Sequence, residues 1–314
     1  MTKTGRRSLL ATGIAAVAGA VAPAPRGEAS HAAVSAPRFR LGLVTYELGK
    51  NWDIDTLIQN CVAARFKAAE LRTTHRHGVE ISLSKEQRAE VRKRFADSPV
   101  RLLSLGTMCE YHSPDRSVVD RNIEETKRWC ELAHDLGCLG VKVRPNGLPK
   151  EVPEEKTLAQ IGNALERCGE SARSSGVELW VEVHGAGSQE PSRMQRILEL
   201  AHHSSVGICW NSNDADVVNG SVAESFEMLR PWLRNAHINE LWRTPSPWGA
   251  ATGKPPDEPN PGFPSYRNPY PFRELFHLLR ESGYDRYTLA EVPESQEPAR
   301  FMRYYRALWE SLAM

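Results

Sequence analysis

Four residues able to grip a divalent cation stand at or near the ends of four short apolar runs. Glu182 closes the run at 177–183, Asn211 ends the one at 206–211, His237 lies in 236–240, and Glu291 follows Tyr287-Thr288-Leu289-Ala290. Glu182, Asn211 and His237 are 29 and 26 residues apart, which suits one strand–helix–strand step each, and Glu291 comes 54 residues later because a Pro-rich stretch intervenes. Two carboxylates, an imidazole and an amide oxygen suit one divalent ion of borderline hardness, Mn²⁺ first, with Mg²⁺, Co²⁺ or Zn²⁺ as alternatives. Such an ion leaves positions for substrate oxygens and can stabilise a developing enediolate.

Taken singly, each residue has a plainer reading. Glu182 or Glu291 can pair with Lys142 or Arg144 inside the fold, since a buried carboxylate is costly without a positive partner. A lone His237 can be a hydrogen-bonded core histidine. Asn211 can cap the following loop, with Asp214 or Asp216 supplying the ligand instead. The joint placement on four strand ends favours the metal site. Around it, His184 projects to the same side as Glu182, two residues away, and can bind substrate or relay a proton. Lys142 and Arg144 can hold a carboxylate, a phosphate or a ketose oxygen. Glu110, His112 and His75 are weaker substrate-binding candidates, and Trp248, Phe263, Tyr266 and Tyr270 can stack on sugar rings or pin their own loop.

The elements that must position these groups follow from periodicity. Strands are expected at 39–46, 68–72, 100–108, 139–143 and 177–183, then around Ile208, His237 and Glu291. Helices are expected from Asp53 and at 84–96, 117–136, 158–172, 192–202, 222–229, 272–281 and 299–312. Ser117 and Asp120 form a capping-box pattern for the third helix, and Gly137 stops it. Eight alternating pairs predict an α/β chain with a parallel sheet, and their regularity favours closure into a single (β/α)₈ TIM barrel over an open doubly wound sheet. Reactive groups in such a barrel gather at the C-terminal strand ends, which puts Glu182, Asn211, His237 and Glu291 around one mouth.

Composition narrows the function. The 314 residues are 40% hydrophobic and 25% charged, ordinary for a globular chain. A net charge of +1 gives no electrostatic case for nucleic acid. The phosphate-cradling, dinucleotide-binding and nucleophile-elbow motifs are all missing. Residues 1–36 read differently from the rest. Arg6-Arg7-Ser8-Leu9-Leu10 precedes an Ala/Gly/Val run and then small residues, the pattern of an export signal of the twin-arginine type. The expected domains are therefore a signal and linker at 1–36 and a barrel at 37–314 with a Pro/Gly-rich insertion at about 244–271. The mature chain would be periplasmic or extracellular, with no stable membrane span after cleavage. The six cysteines lie on apolar helix faces or beside strands without a C-x-x-C pair, so buried free thiols are expected rather than disulfides. The composition leaves a homo-oligomer open.

Several stretches resemble the xylose-isomerase-like barrel superfamily, in particular bacterial proteins described as sugar phosphate isomerase/epimerase. They are Leu41-Gly42-Leu43-Val44-Thr45-Tyr46, Glu70-Leu71-Arg72, Trp180-Val181-Glu182-Val183-His184-Gly185, Ile208-Cys209-Trp210-Asn211, His237-Ile238-Asn239 and Leu289-Ala290-Glu291. The likeness spans roughly residues 38–312. It implies that the strand-5 and strand-8 glutamates, Glu182 and Glu291, hold the metal and exchange the substrate proton, with His237 as the imidazole ligand. The strand-6 ligand of that family is usually aspartate. Asn211 is neutral and a weaker donor, which bears on metal affinity and identity. Endonuclease IV shares the fold, but it needs a richer His/Asp/Glu set and a DNA-binding surface, and neither is evident here.

The expected activity is a divalent-metal-dependent sugar isomerase or epimerase that moves a proton next to a carbonyl through an enediolate, on a small carbohydrate. The alternatives are a lyase or hydratase acting on 3-keto-glycosides, in which elimination follows proton abstraction, and a non-catalytic sugar-binding barrel, motivated by Asn211.

Overall fold

The apolar runs become eight parallel strands, and the amphipathic segments between them become helices that cover the outside. The computed structural model describes residues 37–239, 241 and 270–314. The strands are β1 (Arg40–Val44), β2 (Ala68–Arg72), β3 (Arg101–Glu110), β4 (Gly140–Arg144), β5 (Glu178–Glu182), β6 (Val206–Asn211), β7 (Leu233–Ile238) and β8 (Tyr287–Ala290). Each pairs with its sequence neighbours, and β8 pairs with β1 to close the barrel. The helices among the described residues are α1 (Ile54–Ala63), α2 (Lys85–Ala96), α3 (Arg116–Leu136), α4 (Glu154–Ser174), α5 (Pro191–Ala201), α6 (Ala223–Leu229), α7 (Phe272–Glu281) and α8 (Pro298–Ala313). The single (β/α)₈ barrel expected from the alternation is the fold of the chain.

Helix starts are set by side chains that satisfy otherwise orphaned backbone N–H groups. Asp53 accepts from the Thr56 N–H at 2.8 Å, and Ser84 with Gln87 makes a capping box. The third helix differs from expectation. Its cap is Asp115, which accepts from the Ser117 N–H at 2.8 Å, so Ser117 lies inside the helix. Gly137 ends that helix in the left-handed region at φ 75°, where a side chain would be strained.

Two apolar layers hold the barrel. The larger packs the helices onto the strands, including Leu43, Leu71, Val141, Val181, Ile208 and Ile238. The smaller fills the interior with Val44, Ala68, Leu103, Trp180, Cys209, Tyr287 and Leu289. Trp180 is the plug. A Cβ on Gly140 would stand 2.5 Å from the Trp180 ring, so the neighbouring strand gives up its side chain to admit the indole. The indole N–H donates to Glu178 at 2.7 Å, and Arg286 also binds Glu178, closing the N-terminal end of the barrel. The interior below the mouth is therefore a solid floor.

All six cysteines are buried and free, as expected. No helix among the described residues is long and apolar enough to cross a membrane. The expected export signal, residues 1–36, and most of the insertion, including Trp248, Phe263 and Tyr266, lie outside the described residues. Tyr270, at its C-terminal edge, is buried. Its hydroxyl donates to Asp216 at 2.8 Å and accepts from the Trp210 indole at 3.1 Å, so it pins its segment to the barrel.

Candidate metal centre at the strand ends

Strand register brings the expected ligands to one level. Glu182 of β5 pairs with Cys209 of β6, Asn211 of β6 with His237 of β7, and His237 with Leu289 of β8, just before Glu291. Glu182, Asn211 and His237 are buried, which the period-2 alternation of a barrel strand requires when one face points inward. Ligand atoms of Glu182, His237 and Glu291 all fall within 4.8 Å of one another. The His237 Nδ1 lies 3.2 Å from a Glu182 oxygen and 3.7 Å from a Glu291 oxygen.

The fourth residue fits a cation by what it lacks. The Asn211 amide N–H donates to Glu182 at 3.2 Å, while its carbonyl oxygen is buried without a hydrogen-bond partner. An orphaned buried acceptor carries a cost of about 1–3 kcal/mol, and a positive ion removes it. Two carboxylates, an imidazole nitrogen and this amide oxygen can hold a divalent ion. Asp216 is no part of the set. It is buried in its own hydrogen bonds to the Asn213 N–H and Tyr270.

Glu70, on β2, is the functional neighbour that pattern reading missed. It is fully buried, one oxygen accepts from Ser104 at 2.8 Å, and the other faces the His237 Nε2 at 3.2 Å. Neither of those two facing atoms has another partner, so the contact is an ion pair with loose alignment. An imidazole fixed by a carboxylate on one nitrogen presents its other nitrogen outward, the arrangement that orients metal-binding histidines. Gly106 makes room for it, since a Cβ there would sit 2.9 Å from Glu70 Oε1.

Lys142 donates to Glu182 at 2.8 Å, and both are buried. Burial works against charge on Glu182, yet Lys142 and His237 hold its carboxyl well below the usual range. Glu291 goes the other way. Burial, with Glu182 nearby, raises it despite the opposing pull of His237. Burial also disfavours the charged His237, but Cys209, Glu70 and Glu182 outweigh it and raise the imidazole well above its ordinary range. Without an ion, His237 shares with Lys142 the positive charge among Glu70, Glu182 and Glu291; a bound divalent ion would supply that charge and leave His237 neutral.

Above this level runs a polar chain. Arg144 and Asn146 both donate to Glu110, at 2.6 and 2.5 Å, and the Asn146 amide oxygen meets His184 Nδ1 at 3.1 Å. His112 lies 3.9 Å from the same Glu110. The short pairing of Asn146–Gly147 with Gly185–Ala186 holds the chain together, and Gly185, at φ 102°, touches the Asn146 backbone too closely for any side chain. Because the Asn146 N–H₂ is committed to Glu110, its oxygen must face His184, which makes Nδ1 the protonated nitrogen and leaves Nε2 as the acceptor of a neutral ring. Burial lowers His184, only partly offset by Glu182. Lys142 and Arg144 are thus each bound to a glutamate of the chain. His75 lies nearer β1, 3.4 Å from Thr45 Oγ1, and burial, then His77 and Arg72, pushes it down to about 4, so it is neutral.

A closed parallel barrel with a candidate divalent-metal centre at its C-terminal mouth defines the class. A family model described as xylose isomerase-like TIM barrel matches residues 58–308, and the chain belongs to that family. No curated protein sequence matches it. Solved structures resemble it in fold. An L-ribulose 3-epimerase superimposes with TM-score 0.68 at 16% identity, covering 88% of this chain and 94% of that one. The IOLI protein with a bound zinc atom gives 0.68 at 13%, covering 88% and 98%. The probable 3-DHS dehydratase AsbF of Bacillus anthracis gives 0.62 at 13%, covering 86% and 98%.

Proposed function

We propose that the chain is a divalent-metal-dependent sugar isomerase or epimerase that moves a proton on a carbon next to a carbonyl. The observation that carries this reading is the placement of Glu182 and Glu291 from β5 and the end of β8 on one side of His237, with the orphaned Asn211 oxygen beside them. An ion held by Glu182, Asn211, His237 and Glu291 would act as a Lewis acid toward substrate oxygens. The carboxylates themselves can take and return the proton, since Glu182 and Glu291 both stand beside the ion's place and Lys142 holds Glu182 ionised. The Trp180 floor and the buried Lys142 keep water from below. The 3-epimerase among the structural relatives supports a sugar as substrate. Export of the folded chain is part of the proposal, resting on the sequence of residues 1–36.

A lyase acting on 3-keto-glycosides is the second reading. It is favoured by His184, a neutral imidazole two residues past Glu182 whose free Nε2 can accept the proton next to the ketone and then return it to the departing oxygen, and by the dehydratase among the relatives. The test is metal content of the purified protein beside a Glu182→Ala, Glu291→Ala double variant, followed by ketose incubation in D₂O. About one Mn, Co or Zn per chain, lost in the variant, with deuterium entering the sugar next to its carbonyl, is the expected result. No bound metal and no exchange under any added divalent ion would refute the catalytic reading. An unsaturated product would select the lyase.

A further inference from the structure

Among the described residues, three side chains of permanent positive charge stand at the strand ends of β2 and β4, and two of them are neutralised by glutamates. Lys142 is on Glu182 and Arg144 on Glu110, at 2.8 and 2.6 Å. Arg72 is the third. It ends β2 two residues beyond Glu70, so strand alternation sets it on the same inward face, about 6.6 Å further out. Its guanidinium carbon lies 5.0 Å over the Tyr46 ring. Among the described residues its side chain has no ion pair and no hydrogen bond; the two bonds at this residue involve its backbone. Glu47, on the adjoining segment, is paired with Lys50, and His75 is neutral.

The surroundings leave the Arg72 side chain partly exposed. Gly106 pairs with Arg72 in the sheet, and the space its missing side chain leaves is filled by Glu70, so no side chain of β3 at that level reaches out to pair with Arg72. Tyr46, two residues past the end of β1, lies under the Arg72 guanidinium and is 40% exposed, so the pair faces solvent. The cation–π contact with Tyr46 uses none of the guanidinium N–H groups, which stay available to a planar acceptor. The charges of the metal level balance internally once a divalent ion is added to three carboxylates, Lys142 and a neutral His237. Of the three described cations at these strand ends, Arg72 is the one whose positive charge is left without a carboxylate.

We infer that the substrate is an acidic sugar whose carboxylate is received by Arg72, at the far end of the molecule from the carbons that react. This rests on the isomerase or epimerase reading of the same site. A phosphate dianion is a poorer match, since a single guanidinium supplies one charge and the other two cations are taken. A carboxylate matches both the charge and the two-pronged geometry.

The test is calorimetric binding of D-fructuronate, D-fructose and D-fructose 6-phosphate to the full chain with Mn²⁺ in excess, using wild type, Arg72→Gln and Arg72→Lys. Wild type is expected to bind fructuronate about tenfold or more tighter than fructose, the effect of one charge-assisted contact. In Arg72→Gln that ratio falls to within about twofold while fructose binding is unchanged, and Arg72→Lys keeps part of it because it keeps the charge but not the fork. Equal binding of the two ketoses, no binding of either, survival of the preference in Arg72→Gln, or tighter binding of the phosphate overturns the inference. Deuterium exchange measured on the same samples separates the two readings. A carboxylate preference without exchange upholds the Arg72 assignment and counts against the isomerase, and exchange without preference does the reverse.

Discussion

Glu70 Oε1 and His237 Nε2 face each other at 3.2 Å across the barrel interior, on the side of the imidazole away from Glu182 and Glu291. The consequence is directional. His237 can present Nδ1 to an ion only while Nε2 keeps its proton, and Glu70 is what keeps it there. Glu70→Gln preserves size and the Ser104 contact but removes the charge. Metal affinity measured by competition with a chelator is expected to fall about 10- to 100-fold, with little change in fold by circular dichroism. An unchanged affinity would show that His237 needs no such support.

Lys142 is buried against Glu182, so removing it strands a charge. Lys142→Met is expected to destabilise the ion-free protein by about 3–5 kcal/mol in urea unfolding, the scale for breaking a buried pair from one side. Adding Glu182→Gln to it should recover most of that loss, since the pair is then absent rather than broken. Added divalent ion should rescue the single variant more than the double one. Additive losses in the double variant would rule out this account of the pair.

Asn211 stands beside the candidate ligands Glu182 and His237, with its amide nitrogen on Glu182. Asn211→Asp replaces that donor by a carboxylate 3.2 Å from another, a repulsion that only a cation relieves. The variant is expected to melt below wild type without metal and at or above it with saturating Mn²⁺, and to bind the ion more tightly. If its melting temperature responds to Mn²⁺ no more than that of wild type, Asn211 does not face the ion.

Much of this was legible along the chain, and the exceptions share a cause. The eight strand–helix units and the ligand level at Glu182, His237 and Glu291 follow from local periodicity, because a strand of alternating faces must aim its last inward residue at the mouth. The role of Glu70 does not. Ala-Ala-Glu-Leu-Arg reads as a strand with a polar end, and its partner His237 is reached only when β8 closes onto β1. Lys142 and Arg144 read equally as substrate-binding cations or as partners of Glu182 or Glu291; Lys142 does pair with Glu182, but Arg144 pairs with Glu110, 34 residues away on a neighbouring strand, which no local pattern announces. The Asn146–Gly185 clasp rests on two-residue strands that no periodicity announces. The cap of α3 was misplaced by two residues because Asp115 and Ser117 are both good capping types, and only the chain's approach to the helix distinguishes them.

Asp216 supplies a pH dependence that is separate from the ligands. Burial lifts its carboxyl to about 8, against the opposing hydrogen bonds of Asn213 and Tyr270, and Asp214 and Glu190 add to the rise. One of its oxygens has no hydrogen-bond partner, which disfavours the charged form further. A carboxyl that binds its proton more tightly folded than unfolded contributes its full stabilisation only below the unfolded carboxylate range. The folded state therefore loses stability as pH rises from about 4 through about 8. Asp216→Asn keeps an acceptor for the Tyr270 hydroxyl and removes the titration. Its advantage over wild type should grow between about pH 5 and about pH 8, where the Asp216 carboxyl begins to ionise in the folded state, by up to about 4 kcal/mol, the product of about three pH units and about 1.4 kcal/mol per unit. Melting temperatures of the two proteins across that range decide the matter. Parallel curves would mean that the Asp216 carboxyl is already ionised at the acid end, and that the Trp210–Tyr270–Asp216 clasp holds a charge rather than a proton.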